Sequence, residues 1–169
     1  MNCRKDLMNN MFELTPIGVV HTGLKDEELL QAGTVEGRIE VFQDFVEGLD
    51  LLDGFSHLIL ITFLDKVSAE ARRTLKIRFR HLQRAGLPLD VLPEVGVFAS
   101  DSPHRPNPLG VSIVKTLKFD RPFIHVSGLD LYDGTPVIDI KPYTPYRRVQ
   151  DVEVPEWFSR IVSYLNREP

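Results

Sequence analysis

Two stretches carry residue types and spacings that suit chemistry. The first is "SDSPHRPNPLG" (100–110), with three prolines, a histidine and an arginine between the apolar runs "EVGVFA" and "VSIVKTL". Chain reversal alone needs two to five residues, and Asn-Gly or Asp-Gly achieves it. Pro103, Pro106 and Pro108 each fix their own φ, and each pushes the residue before it toward extended geometry. The loop is therefore expected to be ordered before any ligand arrives, so little entropy remains to be lost on binding. Arg105 and Asn107 alternate along it, and His104 adds a third polar group. Asp101 and Ser102 start it as a pair of turn formers, and Gly110 permits close approach of the chain. On these residues alone the loop is either a preformed binding rim or a stiff connector covering a barrel end.

The second stretch is "RRTLKIRFRHLQR" (72–84), which holds six Lys or Arg, one His and no acid. Read as a strand, it sets Lys76, Arg78 and Arg80 along one face, roughly 6–7 Å apart at strand rise, near the spacing of successive phosphates. Phosphate binding is the favoured reading for a chain whose formal net charge is −4; a solvated face neutralised by Glu70 and Asp90 is the alternative. Arg147 and Arg148 extend the same cationic character. Tyr143 and Tyr146 beside them either stack on a splayed base or pack a barrel rim.

Elements must position these groups. Short strand-like runs occur at 12–22, 37–42, 57–64, 74–79, 94–99, 110–117, 123–132 and 136–143, punctuated by Gly, Pro or Asp. That pattern predicts a mainly β fold, an antiparallel barrel with a few short helices. "YDGTP" (132–136) signals a hairpin between the last two runs, with Asp133 as its turn former. The segment 65–73 predicts a short helix capped by Ser68. The run 155–166 predicts a C-terminal helix, with Pro155 at its start and an apolar stripe of Trp157, Phe158, Ile161, Val162 and Leu165. No strand–helix–strand alternation or glycine-rich phosphate loop supports a Rossmann fold.

At 169 residues, with 43% apolar, the chain suits one domain with its own core. We expect a frayed leader over 1–11 and a single barrel domain over 12–169. The one cysteine, Cys3, rules out an internal disulfide and a cysteine-zinc site. No apolar run approaches the ~18 residues of a membrane span, and the first ten residues lack the apolar centre of a signal peptide, so a cytoplasmic location is expected.

"GVFASDSPHRPNPLGVSIV" (96–114) resembles the signature of the TsaA-like family, TrmO-type tRNA methyltransferases, which runs Gly-Val-Phe-Ala-Thr-Arg-Ser-Pro-x-Arg-Pro-Asn-Pro-Ile-Gly. "IGVVHT" (17–22), "GLDLLDGFSHLILITFL" (48–64) and "GLDLYDGTPVIDIKPYTP" (128–145) match further family blocks in the same order. The resemblance implies an antiparallel barrel that works as a homodimer and binds S-adenosylmethionine near the subunit contact. It implies N6-methylation of threonylcarbamoyl-adenosine next to the anticodon of tRNA; another RNA or small-molecule acceptor, or a non-catalytic RNA- or nucleotide-binding module, are the alternatives. It assigns the cofactor to Asp65, Lys66, Ser102, His104, Val111, Ser127, Gly128, Leu129 and Asp130. Catalytic candidates are Arg105, Asn107 and Asp133; nucleic-acid contacts are Lys76, Arg78 and Arg80.

The chain departs from the family at Asp101, where relatives carry an Arg that pairs with the methionyl carboxylate. Asp would repel that carboxylate. Either Lys66, His104 or Arg105 takes over, or the cofactor lies differently, or binding is lost. Asp65-Lys66 also lacks the usual side chains of its position. Methyl transfer from a sulfonium requires no metal and no covalent nucleophile, but the acceptor nitrogen must shed a proton. Asp130, Asp133, Asp139 and His104 are candidates to take it. Arg105→Ala should impair methyl transfer with little loss of stability, because its head group is expected to face a ligand.

Overall fold

The computed structural model describes residues 12–88 and 92–165. The expected leader, with Cys3, and Asp90 lie outside them. The strands are β1 (Gly18–His21), β2 (Val35–Val41), β3 (His57–Phe63), β4 (Lys76–Arg78), β5 (Glu94–Gly96), β6 (Leu109–Asp120), β7 (Phe123–Leu129) and β8 (Pro136–Pro142), with helices α1 (Asp26–Ala32) and α2 (Glu156–Leu165). Contacts divide the chain into two compact units. One ends at Phe63 and resumes over Val111–Pro142; the other holds Leu64–Gly110 and continues from Tyr143.

The first unit contains a closed antiparallel barrel, as the strand pattern predicts. Its strand order is β1-β2-β7-β6-β3-β8. Alternation builds it: Leu58, Leu60 and Thr62 of β3 point into the core, while His57, Ile59, Ile61 and Phe63 are half-buried. Ile39, Ile124, Val126 and Val137 fill the same interior. Two glycines permit the close strand approach. A Cβ on Gly18 would sit 2.3 Å from the Glu40 carbonyl oxygen, and one on Gly37 would sit 2.5 Å from that of His21.

The second unit carries the two-stranded sheet β4–β5, in register Lys76↔Gly96 to Arg78↔Glu94. Leu87, Leu92 and Ile161 form its core, with Phe79, Leu82 and Trp157 packed against them. Phe79 stacks on Trp157 at 5.9 Å. Helix α2 therefore uses only part of its expected stripe. Trp157 and Ile161 pack inward, whereas Phe158, Val162 and Leu165 stay exposed.

Two expectations need correction, and one helix was not foreseen. The 132–136 turn forms, but it does not join paired strands: β7 lies between β2 and β6, and β8 between β1 and β3. It docks instead on β1, where Gly134 N–H donates to the Val20 carbonyl at 2.9 Å. The helix expected over 65–73 shrinks to a 3-10 turn at Ala71–Arg73, because the segment lacks an apolar face to bury. Glu70, not Ser68, stands at the N-cap position, and Ser68 Oγ accepts the Ala71 N–H at 3.2 Å from two residues further back. Helix α1 was not anticipated. Its single buried residue, Leu29, leaves no periodic stripe to detect.

Candidate functional site

In the second unit, the proline-rich loop runs from the end of β5 to β6. Backbone and hydroxyl groups lace it together. Ser100 Oγ donates to the Val97 carbonyl at 2.8 Å, Ser102 N–H reaches Ser100 Oγ at 3.3 Å, and His104 N–H reaches Ser102 Oγ at 3.3 Å. Further on, the Arg105 and Leu109 amides close turns to the Pro103 and Asn107 carbonyls at 2.9 and 2.8 Å. Pro108 is buried, its carbonyl taken by Leu64 N–H. Such a loop presents Asp101 and His104, both exposed, from a fixed frame.

Arg105 behaves differently from its sequence expectation. Its half-buried guanidinium folds back on the loop, Nη2 donating to the carbonyls of Val97 and Ser100. Its Nε is enclosed without an acceptor. The side chain thus spans the loop from within. Asn107, beside it, is exposed.

A cavity of about 790 Å³ joins the two stretches singled out by the sequence. One wall is Lys76, Arg78 and Arg80 with Phe79; the other is Asp101, Ser102, Pro103 and His104. Lys76 Nζ lies 3.7 Å from Glu94 Oε1, so Glu94 supplies the neutralising carboxylate on this wall. Arg78 and Arg80 are exposed and form no ion pair among the described residues. Beyond β4 the strand does not persist, and Arg80 opens a 3-10 turn, Arg80–Ala85. Asp65 and Lys66 lie exposed in the turn after β3.

In the barrel unit, the structure gathers the other assigned residues at the irregular end of β7. Ser112 Oγ donates to Asp130 Oδ1 at 2.6 Å, tying Asp130 to β6 beside Val111, which is 69% exposed. Gly128 adopts φ 85°, a conformation open to glycine. Leu129 is fully buried in the barrel, so only its backbone is available to a ligand.

Asp133 Oδ1 accepts the amides of Thr22 at 2.8 Å and Gly23 at 3.0 Å, fastening the chain after β1. It lines a second cavity, about 550 Å³, with His21, Arg38 and His125. Strand register sets these in a row, His21↔Arg38↔His125. His21 Nε2 lies 2.7 Å from Glu40 Oε2, and the Arg38 guanidinium sits 4.7 Å over the Phe123 ring. Sequence reading missed this row, since only strand pairing brings positions 21, 38 and 125 together. Asp139 is paired with Lys141. Among the described residues no cluster of three or more His, Cys, Asp or Glu could hold a metal, and no helix is long and apolar enough to cross a membrane.

Residues 28–148 match the model of the tRNA-methyltransferase O N-terminal domain. The chain is 32% identical over 157 residues to a probable S-adenosyl-L-methionine-binding protein of Pyrococcus abyssi, covering 90% of this chain and 79% of that protein. It is 35% identical over 106 residues to a mouse tRNA (adenine(37)-N6)-methyltransferase, covering 63% of this chain and 22% of that one. The crystal structure of TrmO from Pseudomonas aeruginosa superposes with a TM-score of 0.63 at 30% identity, over 85% of this chain and 61% of that chain. The chain thus spans about three-fifths of that solved protein.

Proposed function

The chain belongs to the tRNA-methyltransferase O N-terminal domain family, and we propose that it is a cytoplasmic S-adenosylmethionine-dependent methyltransferase acting on tRNA. The acceptor we assign is N6 of threonylcarbamoyl-adenosine beside the anticodon. The observation that carries the reading is the 790 Å³ cavity in which a pre-tied polar loop faces Arg78 and Arg80, which form no ion pair among the described residues. Guanidinium groups on one wall suit the phosphates of an RNA acceptor.

The barrel-unit residues fit a nucleoside. Gly128 has no atom closer than 3.7 Å to where a Cβ would be, Val111 offers apolar surface, and Asp130 supplies a carboxylate of the kind that takes ribose hydroxyls. When bound, the donor supplies a methyl carbon already activated by its sulfonium. The chain's part is to orient the acceptor, exclude water and take the proton that the acceptor nitrogen loses. Of the four candidates for that proton, Asp130 is held by Ser112, Asp133 by two amides and Asp139 by Lys141. His104 has no side-chain partner among the described residues and lines the cavity; we assign it the role. The exposed apolar residues of β6, Val111, Ile113 and Leu117, support a homodimer contact on that strand.

Calorimetry with S-adenosylmethionine and mass spectrometry of tRNA nucleosides test the proposal. We expect saturable donor binding, and loss of methylated threonylcarbamoyl-adenosine from cells lacking the gene. Folded protein that ignores millimolar donor would instead support a non-catalytic RNA- or nucleotide-binding module. Donor binding with an unchanged nucleoside profile would move the acceptor to another RNA or a small molecule.

A further inference from the structure

We propose that the turn around Tyr146 is a stacking subsite for one unpaired base of an RNA chain. The inference rests on the reading above that RNA is the acceptor, and it names how one of its bases is held. In "YTPYRRV" (143–149), Pro145 opens a 3-10 turn, Pro145–Arg147. The Arg147 N–H donates to the Thr144 carbonyl at 2.9 Å and the Arg148 N–H to the Pro145 carbonyl at 3.1 Å. This fixed turn holds Tyr146 with 81% of its surface in water.

An exposed aromatic ring alone means little. Its surroundings distinguish this one. The Arg147 guanidinium carbon lies 5.8 Å from the ring centroid, within cation–π range, while the ring stays exposed. Arg148 is exposed beside it, and neither arginine forms an ion pair among the described residues. The next acids along the chain, Asp151 and Glu153, form an ion pair with neither arginine among the described residues.

Two adjacent unpaired cations repel each other, and a polyanion relieves that repulsion at both positions. The exposed Tyr146 ring beside these two arginines suits a splayed base whose flanking phosphates meet the cations. Every base has a π face, so this subsite is tolerant of base identity and selects unpaired over duplex RNA. That division of labour differs from the cavity wall of Lys76, Arg78 and Arg80, which meets phosphates alone.

The test measures fluorescence anisotropy with two labelled probes on the full chain. One is a ten-nucleotide oligoadenylate; the other is an abasic ribose-phosphate oligomer of equal length and charge. Wild type should bind the oligoadenylate more tightly. Tyr146→Ala should weaken that binding about tenfold, within the range for loss of one stacked base, and leave the abasic probe nearly unchanged. Tyr146→Phe should retain the preference. Arg147→Ala should weaken both probes and lower the magnitude of the salt slope by about one. Circular dichroism of each variant confirms that it is folded.

If Tyr146→Ala affects both probes equally, or neither, while wild type binds RNA, the stacking assignment falls and the RNA reading stands. A wild type that does not distinguish the probes overturns it in the same way, leaving the turn to a protein partner. If wild type binds neither probe nor tRNA, the RNA reading itself fails.

Discussion

Replacing Arg105 with Ala separates a group that builds the site from one that only touches a ligand. The side chain donates from Nη2 to two carbonyls, Val97 and Ser100, across the start of the proline-rich loop. Hydrogen bonds to a charged group contribute about 1.5–3 kcal/mol each. The side chain is only half-buried, so we take the lower end and allow for water replacing one partner, giving about 2–3 kcal/mol lost. For a chain of 169 residues, about 2–4 °C per kcal/mol then predicts a fall in melting temperature of roughly 4–12 °C. Arg105→Lys, a point donor without the guanidinium fork, should recover part of this loss. Thermal melts by circular dichroism supply the stability, and donor affinity measured per folded molecule supplies the function. The reasoning is refuted if Arg105→Ala melts within a degree of wild type yet loses tenfold or more in donor binding or turnover. In that case the guanidinium faces a ligand, as the residue pattern alone suggested.

Changing Lys76, Arg78 and Arg80 together to Ala should lower the magnitude of the log–log salt slope of tRNA binding by about two to three, with donor affinity unchanged; an unaltered slope sinks the phosphate wall. Gly18→Ala forces a methyl against the Glu40 carbonyl in the barrel, and should cost about 1–3 kcal/mol in urea unfolding, whereas Gly48→Ala, with open space around it, should cost much less. The Thr144 hydroxyl, and after it the Arg147 charge, hold the Tyr146 phenol below the ordinary tyrosine value. Ultraviolet titration should therefore show one of the four tyrosines losing its proton first as pH rises. Tyr146→Phe should remove that early step, and Arg147→Ala should move it to higher pH; an early step that survives Tyr146→Phe belongs to another residue.

The barrel was legible because its strands alternate. "HLILITF" and "FIHVSGL" read as strands from residue type alone, and they are strands. Which strand neighbours which was not legible: the Asp-Gly turn at 133–134 carries the local signature of a hairpin, while the pairing is decided by distant strands. The same limit hid Asp133's partners, the amides of Thr22 and Gly23, more than a hundred residues away. Side-chain direction was equally hidden. A sequence marks Arg105 as a cation on a stiff loop, but only the folded backbone reveals unfilled carbonyls within its reach. Leu129 sits inside a family block and turns out to be core. The meeting of residues 76–80 with 101–104 was foreseen only as two separate features, since no local pattern records that they line one cavity.

β8 is the last strand of the barrel in the chain, and it lies between β1 and β3. During synthesis, then, the first and third strands wait with one side bare until Pro136–Pro142 has left the ribosome. Any product that stops earlier presents two unpaired ladders at once, each a template for another copy. Closure of the barrel therefore waits on Pro136–Pro142, the last of its six strands to be made.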